Sequence, residues 1–158
     1  MMRANGRYLG LMAGLVALDQ LTKALLVKSV GLYESVTVIP GFLSLSHIRN
    51  KGAIFGMFNR SGVKSVTLLL VFASLIALGF VAYYFIKTPA SQAWTKTALS
   101  LILAGAVGNQ IDRFFRGSVV DFVEIHVKAF TWPTFNVADA CISTGAVLLA
   151  ALIVFRRT

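Results

Sequence analysis

VTLLLVFASLIALGFVAYYFI, Val66 to Ile86, is an unbroken apolar run that contains no charged side chain. A helix that crosses the hydrocarbon core of a membrane needs roughly 20 mainly apolar residues. The length and composition of this run therefore predict a transmembrane helix, and they place the whole chain in the membrane class.

Three further apolar runs have a similar length, and they occupy residues 8–27, 93–111 and 137–155. Only helices and closed barrels satisfy every backbone polar group in lipid. Alternating barrel strands of about ten residues are absent from the sequence. The four runs, with residues 66–86 as the second, predict an all-α membrane protein with four transmembrane helices.

The composition agrees with this class. Hydrophobic residues make up 57% of the 158 residues and charged residues 13%, whereas soluble domains carry about 25% charged residues. The net charge of +9 is expected at the lipid headgroups. Nucleic acid is not expected as a partner, because it would need a basic face on a soluble domain. The single cysteine, Cys141, excludes an internal disulfide.

The segment at about residues 29–65 has a different pattern. Its stretch ESVTVIPGFLSLSHIRN alternates partially and is broken by Pro40 and Gly41, which is typical of short strands and a turn. We expect a small extracytoplasmic β-sheet in this first long loop. Residues 112–136 are expected to form a second loop of about 25 residues, and residues 1–158 a single domain.

Basic residues near the helix ends indicate the orientation. An even number of helices places both termini on one side of the membrane. The short tails and the short link between the second and third helices carry Arg3, Arg7, Lys87, Lys96, Arg156 and Arg157. Basic residues in short segments favour the cytoplasmic side, so we expect cytoplasmic termini and two extracytoplasmic loops.

The acidic residues are scarce and lie where acids are costly. The chain has only six Asp and Glu, and its four aspartates, Asp19, Asp112, Asp121 and Asp139, lie in or beside apolar runs. Ionisable residues at membrane depth indicate functional sites by default. Asp139 stands three residues after Asn136, so it is either part of a helix N-cap or an acid that faces the bundle interior.

Spacing suggests further partners. Asp19 and Lys23 lie four residues apart on the first helix and are expected to neutralise each other. Asn109, Asp112 and Arg113 share one helical face, where Arg113 is expected to pair with Asp112 or another carboxylate. No zinc motif is present, so no metal or other cofactor is expected. Two carboxylates at one site can share a proton and activate water.

The residues alone leave three functions open. A peptidase and a small proton-coupled membrane transporter or channel subunit would both use buried acids, and a scaffold would use them only as packing clamps. Transporters usually contain internal repeats and bind near the midplane, and no repeat is evident here.

Four ordered blocks carry a resemblance to a known family: LDQLTK at residues 18–23, RNKGAIFG at 49–56, GNQIDRFFRGSVVDF at 108–122 and FNVADACI at 135–142. Together they resemble lipoprotein signal peptidase (signal peptidase II), a bacterial membrane aspartic peptidase. The second block departs from the family pattern at Ile54, where alanine is common, and this change stays apolar.

The resemblance implies a catalytic pair of Asp121 and Asp139. It implies substrate-binding or supporting roles for Asn50, Gly52, Asn109, Arg113 and Asn136, with Asp19, Lys23 and Asp112 as structural motif positions. It further implies a multi-pass protein of the bacterial cell (inner) membrane, in contact with membrane lipid and expected to be a monomer, with its site near the extracytoplasmic face. Its substrates would be diacylated prolipoproteins, cut just before the lipidated cysteine.

Overall fold

A computed structural model describes residues 2–51 and 63–155 of the protein, with the side chains of residues 5–51 and 71–155. Within these residues there are four helices: α1 (Met2–Ser29), α2 (Val63–Lys87), α3 (Ala93–Arg116) and α4 (Val137–Phe155). The same described residues form four strands: β1 (Ser35–Ile39), β2 (Leu43–Asn50), β3 (Val119–Val127) and β4 (Phe130–Thr131).

The helices differ in how well they fit a membrane span. Within the described residues, Asn5–Ser29 of α1 and the whole of α4 are long and apolar enough to cross a membrane. Val71–Lys87 of α2 forms a shorter apolar helix. Large apolar side chains such as Phe72, Phe80 and Ile153 are exposed on these helices. A helix that exposes such side chains requires an apolar environment, so the chain is a membrane protein.

Helix α3 lies at the centre of the bundle, where it contacts α1, α2 and α4. It packs most closely against α4, at positions where one of the two helices has a glycine. A Cβ atom added to Gly145 of α4 would lie 2.7 Å from the Ala98 carbonyl oxygen of α3. Small residues let membrane helices approach closely, and here they bring the end of α3 beside the start of α4.

The sheet is antiparallel, with the order β1-β2-β3-β4. The prediction of strands in the first long loop is confirmed by β1 and β2. The prediction that residues 112–136 form only a loop is wrong, because they contain β3 and β4. Strand β3 pairs with β2 in a register that places Asp121 opposite Ile48 and Val119 opposite Asn50. This pairing joins segments that α2 and α3 separate in the sequence.

Helix α3 continues to Arg116, beyond the predicted end at Ile111. Gly117 ends it with φ 70°, and its backbone N–H donates to the Arg113 carbonyl oxygen. Glycine suits this left-handed position because it has no Cβ. The extension places Asp112 and Arg113 on the same helix as Asn109, as their shared helical face requires.

Two groups of buried side chains lie at opposite ends of the bundle. One packs where the chain termini lie and consists of Tyr8, Phe85, Leu99 and Leu103. The other packs α1 against the sheet and consists of Leu26, Val30, Val120 and Phe122. The second group fixes β3, and with it Asp121, against the end of α1.

Candidate active site

Asp121 is the third residue of β3 and is only 2% exposed. Two asparagines bind its carboxyl group. Asn50, at the end of β2, donates from Nδ2 to Asp121 Oδ2 at 2.8 Å, and Asn136 donates from Nδ2 to Asp121 Oδ1 at 2.7 Å. Each oxygen therefore has one amide donor, which fixes the orientation of the carboxyl plane.

Asp139 lies in the first turn of α4. Its Oδ1 accepts a hydrogen bond of 2.7 Å from Asn109 Nδ2, and its Oδ2 accepts one of 3.3 Å from the backbone N–H of Asn136. Asn136 Oδ1 in turn accepts from the backbone N–H of Asp139 at 2.8 Å. This is a reciprocal helix cap. Both alternatives considered for Asp139 are therefore met. It caps α4, and it also faces Asn109 of α3 in the interior of the bundle.

Asn136 connects the two aspartates. It is fully buried, it donates through its side chain to Asp121, and it donates through its backbone to Asp139. The same side-chain amide lies 3.2 Å from the Val120 carbonyl oxygen and 3.3 Å from Asn109 Oδ1. The two carboxyl groups therefore belong to a single hydrogen-bonded network.

The environment of Asp121 raises the pKa of its carboxyl group from 3.8 to about 6. Burial is the largest cause, because it disfavours the charged form, and the nearby charge of Asp139 acts in the same direction. The hydrogen bonds from Asn50 and Asn136 and the charge of Lys23 oppose the rise. A carboxyl group with such a pKa can exchange a proton near neutral pH, as general acid–base chemistry requires.

Lys23 is fully buried below this network. Its Nζ lies 2.8 Å from Asp19 Oδ2 and 2.9 Å from Asp112 Oδ2, and it donates to Asn109 Oδ1 at 3.2 Å. The predicted pair of Asp19 and Lys23 is confirmed, but it is part of a larger cluster. Because Asn109 binds Lys23 with its oxygen and Asp139 with its nitrogen, the cluster also fixes which way the Asn109 amide points.

Arg113 was expected to pair with Asp112 or another carboxylate, and among the described residues it forms neither ion pair. Among the described residues, Asp112 pairs with Lys23 and Arg116. The Arg113 guanidinium instead lies 3.4 Å from Gln110 Oε1. Gln110 donates to Ser74 Oγ at 2.9 Å, so these two side chains lie on the side of α3 that contacts α2. Gly52, also expected near the site, lies outside the described residues.

Two members of the buried cluster were missed from the sequence. Gln20 donates to Asp19 Oδ2 at 3.1 Å and to the Gly108 carbonyl oxygen at 3.1 Å. Arg116 pairs with Asp112 and donates to Gln20 Oε1 at 2.9 Å. The available signals were the position of Gln20 next to Asp19 and the four-residue spacing of Asp112 and Arg116, which places both on one helical face.

Known proteins resemble this chain over most of its length. The sequence model of the family described as Signal peptidase (SPase) II matches residues 11–155. The chain is 42% identical to a lipoprotein signal peptidase of Syntrophotalea carbinolica, over 93% of this chain and 92% of that protein. It is 37% identical to a lipoprotein signal peptidase of Staphylococcus carnosus, over 87% and 84% of the two chains.

The fold also has solved counterparts. A bacterial membrane enzyme structure superposes with a TM-score of 0.82 at 32% sequence identity, and it covers 94% of this chain and 92% of its own. A second bacterial membrane enzyme structure superposes with a TM-score of 0.76 at 34% identity. These similarities extend from α1 to α4, so they include every element that contributes to the candidate site.

Proposed function

The chain belongs to the signal peptidase II family, and from its family and its site we propose that it removes signal peptides from diacylated prolipoproteins as an aspartic endopeptidase. The observation that carries the aspartic assignment is Asn136, which donates to both Asp121 and Asp139. Two carboxyl groups in one network can share a proton, because like charges at close range do not both ionise readily. In the proposed site, Asp121 and Asp139 are the catalytic pair.

The surroundings of the two acids suit different roles. Burial raises the pKa of Asp121 to about 6, so Asp121 is the preferred holder of the shared proton. Asp139 is partly exposed and lies in the first turn of α4, where the helix dipole favours a negative charge. We assign Asp139 as the base that faces water and Asp121 as the acid.

The reaction then proceeds in two steps. Asp139 takes a proton from water while the water oxygen forms a bond to the scissile carbonyl carbon, and Asp121 donates its proton to the carbonyl oxygen. In the second step the carbon–nitrogen bond breaks. Ionised Asp121 takes the proton of one diol hydroxyl as the carbonyl re-forms, and Asp139 gives its proton to the leaving amine nitrogen, which restores the starting protonation of the pair. In this scheme Asn50 and Asn109 orient the two carboxyl groups, and Asp19, Lys23 and Asp112 support them.

Membrane placement is the second part of the proposal. All four helices cross the bacterial cell (inner) membrane with both termini in the cytoplasm, as a single domain of residues 1–158. The sheet and the two aspartates lie near the extracytoplasmic face, where a lipid-anchored cysteine brings the preceding peptide bond to the site. The protein acts as a monomer in contact with membrane lipid, without nucleic acid.

An impermeant thiol reagent tests this orientation. Thr37 is exposed on β1, so a Thr37→Cys variant on a Cys141→Ala background is expected to react in intact cells. Reaction only after lysis would contradict the orientation. The transporter alternative is not favoured, because the family is one of signal peptidases.

The activity is tested with purified protein and a purified diacylated prolipoprotein. We expect cleavage that produces a new N-terminus at the lipidated cysteine, and no cleavage when that cysteine is replaced by serine and remains unmodified. Equal cleavage of both substrates would contradict the requirement for the lipid. Absence of cleavage of either substrate by folded protein would contradict the peptidase assignment.

A further inference from the structure

Lys96 is a buried cation at the end of the bundle opposite the candidate active site. Its side chain is only 2% exposed. Its Nζ donates to Asn5 Oδ1 at 2.6 Å and lies 4.6 Å from the centre of the Phe85 ring and 5.7 Å from that of the Tyr8 ring. Ring faces and a neutral amide stabilise an ammonium group, but they leave its charge unbalanced.

A second cation lies against the same tyrosine. The Arg7 guanidinium is 4.7 Å from the centre of the Tyr8 ring and donates to the Tyr8 hydroxyl at 2.7 Å. Arg7 is exposed, whereas Tyr8 is buried. Two positive groups therefore share one aromatic side chain, one of them inside the bundle and the other at its surface.

Among the described residues, no acidic side chain forms an ion pair with Lys96 or Arg7. All six Asp and Glu of the sequence lie on the described parts of the chain, at positions 19, 34, 112, 121, 124 and 139. Asp19 is twelve residues beyond Arg7 on α1, which is roughly 18 Å along a helix, and Asp112 is sixteen residues beyond Lys96 on α3, which is roughly 24 Å. An ion pair needs a nitrogen–oxygen distance of about 4 Å or less, so neither carboxylate can pair with these cations.

A groove lies directly beside the two cations, between α1 and α3. Its volume is about 290 Å³. It is lined by Arg7, Tyr8, Leu11, Ala93, Trp94 and Thr97. The Trp94 ring is 68% exposed, as is usual for tryptophans that contact lipid near the headgroups. The groove thus has a cation at one edge and apolar surface along its length.

We propose that this groove binds an anionic phospholipid of the leaflet at the termini end. The Arg7 guanidinium contacts the phosphate, Lys96 adds its positive charge from behind the Tyr8 ring, and the first part of an acyl chain lies along Leu11 and Trp94. Basic pockets between membrane helices commonly bind anionic headgroups. The occupant is a lipid rather than a soluble anion, because the cationic edge continues into an apolar groove.

Fluorescence quenching tests this site without reference to cleavage. The chain has two tryptophans, so a Trp132→Phe variant reports Trp94 alone. Full-length protein is placed in phosphatidylcholine bilayers that contain either phosphatidylglycerol or phosphatidylcholine brominated on an acyl chain, at equal mole fractions. We expect brominated phosphatidylglycerol to quench Trp94 more strongly, because the headgroup attraction holds its chain beside the ring.

Three substitutions distinguish this site from general surface charge. Arg7→Gln is expected to lower the preference for phosphatidylglycerol by about fivefold, since each basic residue near a charged surface contributes about that factor. Lys87→Gln is the control, because Lys87 lies at the end of α2 and does not line the groove. It should leave the preference unchanged. Lys96→Met gives a second loss-of-charge variant, and Arg7→Gln decides the question if Lys96→Met does not fold.

Three outcomes would overturn the proposal. The first is equal quenching of Trp94 by the two brominated lipids. The second is an equal loss of preference in the Lys87 and Arg7 variants, which would indicate a diffuse charge effect. The third is loss of the preference when excess inorganic phosphate is added at constant ionic strength, which would assign the site to a soluble anion.

Discussion

Asp19 accepts, through Oδ1, a hydrogen bond of 2.9 Å from the backbone N–H of Ala138, the residue immediately before Asp139. Asp112 repeats this arrangement on β3, where its Oδ2 accepts from the backbone N–H of Val120 at 3.1 Å, immediately before Asp121. Each proposed catalytic aspartate thus follows a residue whose backbone is held by another aspartate. Lys23 lies between the carboxylates of Asp19 and Asp112 and forms an ion pair with each.

The first prediction concerns Asp19. Asp19→Asn keeps a carbonyl oxygen for the Ala138 N–H, whereas Asp19→Ala removes it, so the asparagine variant should retain more cleavage activity. Both should be less stable than wild type, because Lys23 loses a buried charge partner, a change that costs about 3–5 kcal/mol when no other partner remains. Asp112 still pairs with Lys23, so the cost should fall below that range. Equal activities of the two variants at equal stability would contradict an anchoring role.

The second prediction concerns the proposed catalytic pair. Asparagine has nearly the same shape as aspartate but cannot exchange the proton. Asp121→Asn and Asp139→Asn should each lower cleavage by about 10²–10⁴-fold. The double variant should be barely worse than either single one, because groups that act as a unit are not additive. Glu124→Gln is the control: Glu124 lies on the same strand but binds Ser46 rather than the pair. Near-normal turnover by either aspartate variant would remove that residue from the pair.

The third prediction concerns stability and pH. The pKa of Asp121 is about 6 in the folded protein against an ordinary 3.8, so the folded state holds this proton more tightly than the unfolded state. This difference in pKa adds about 3 kcal/mol to the free energy of unfolding. The added stability is present below about pH 4 and is lost as the pH rises through about 6. Asp121→Asn should therefore show a flatter dependence of melting temperature on pH between 4 and 7 in detergent. Parallel curves for the variant and wild type would contradict the raised pKa.

The fourth prediction concerns Asn50. Its hydrogen bond to Asp121 favours the ionised carboxylate and opposes the rise in pKa. Asn50→Ala should lower kcat/KM by roughly tenfold or more, because this hydrogen bond stabilises the negative charge that forms on Asp121 as it donates its proton. The limb of the pH profile that reports Asp121 should shift to higher pH. The melting temperature of Asn50→Ala should stay close to that of the wild type. Ser35→Ala, on the far strand of the same sheet, is the control. A pH profile that does not shift in Asn50→Ala would contradict the hydrogen bond between Asn50 and Asp121.

The fifth prediction concerns the close packing of α3 and α4. Gly145→Ala would place a Cβ 2.7 Å from the Ala98 carbonyl oxygen and 2.8 Å from the Ile102 side chain. Overpacking of this kind costs about 1–3 kcal/mol, so the melting temperature should fall. Gly10→Ala on α1 is the matched control, since a Cβ there meets nothing within 4 Å and alanine favours a helix. A stable Gly145→Ala variant would show that the two helices can separate without cost.

Local patterns in the sequence predicted the parts of the site that lie on one element. The spacing of Asp19 and Lys23 predicted their ion pair, and the sequence from Asn136 to Asp139 indicated a helix cap as one of two alternatives, because both contacts join residues within one helical turn. The contact of Asn50 with Asp121 was not predictable in this way. It depends on β2 pairing with β3, and no local pattern specifies which distant strand a strand will choose. Arg116 was missed because the helix was expected to end before it.

Strands β2 and β3 come from opposite sides of a two-helix insertion, and this has a consequence for biosynthesis. A ribosome releases β2 and Asn50 early, Asp121 only after α2 and α3, and Asn136 and Asp139 later still. A partly synthesised chain can hold one half of the proposed catalytic pair but not both. With the proposed pair as the catalytic groups, a chain that still lacks α4 should have no protease activity.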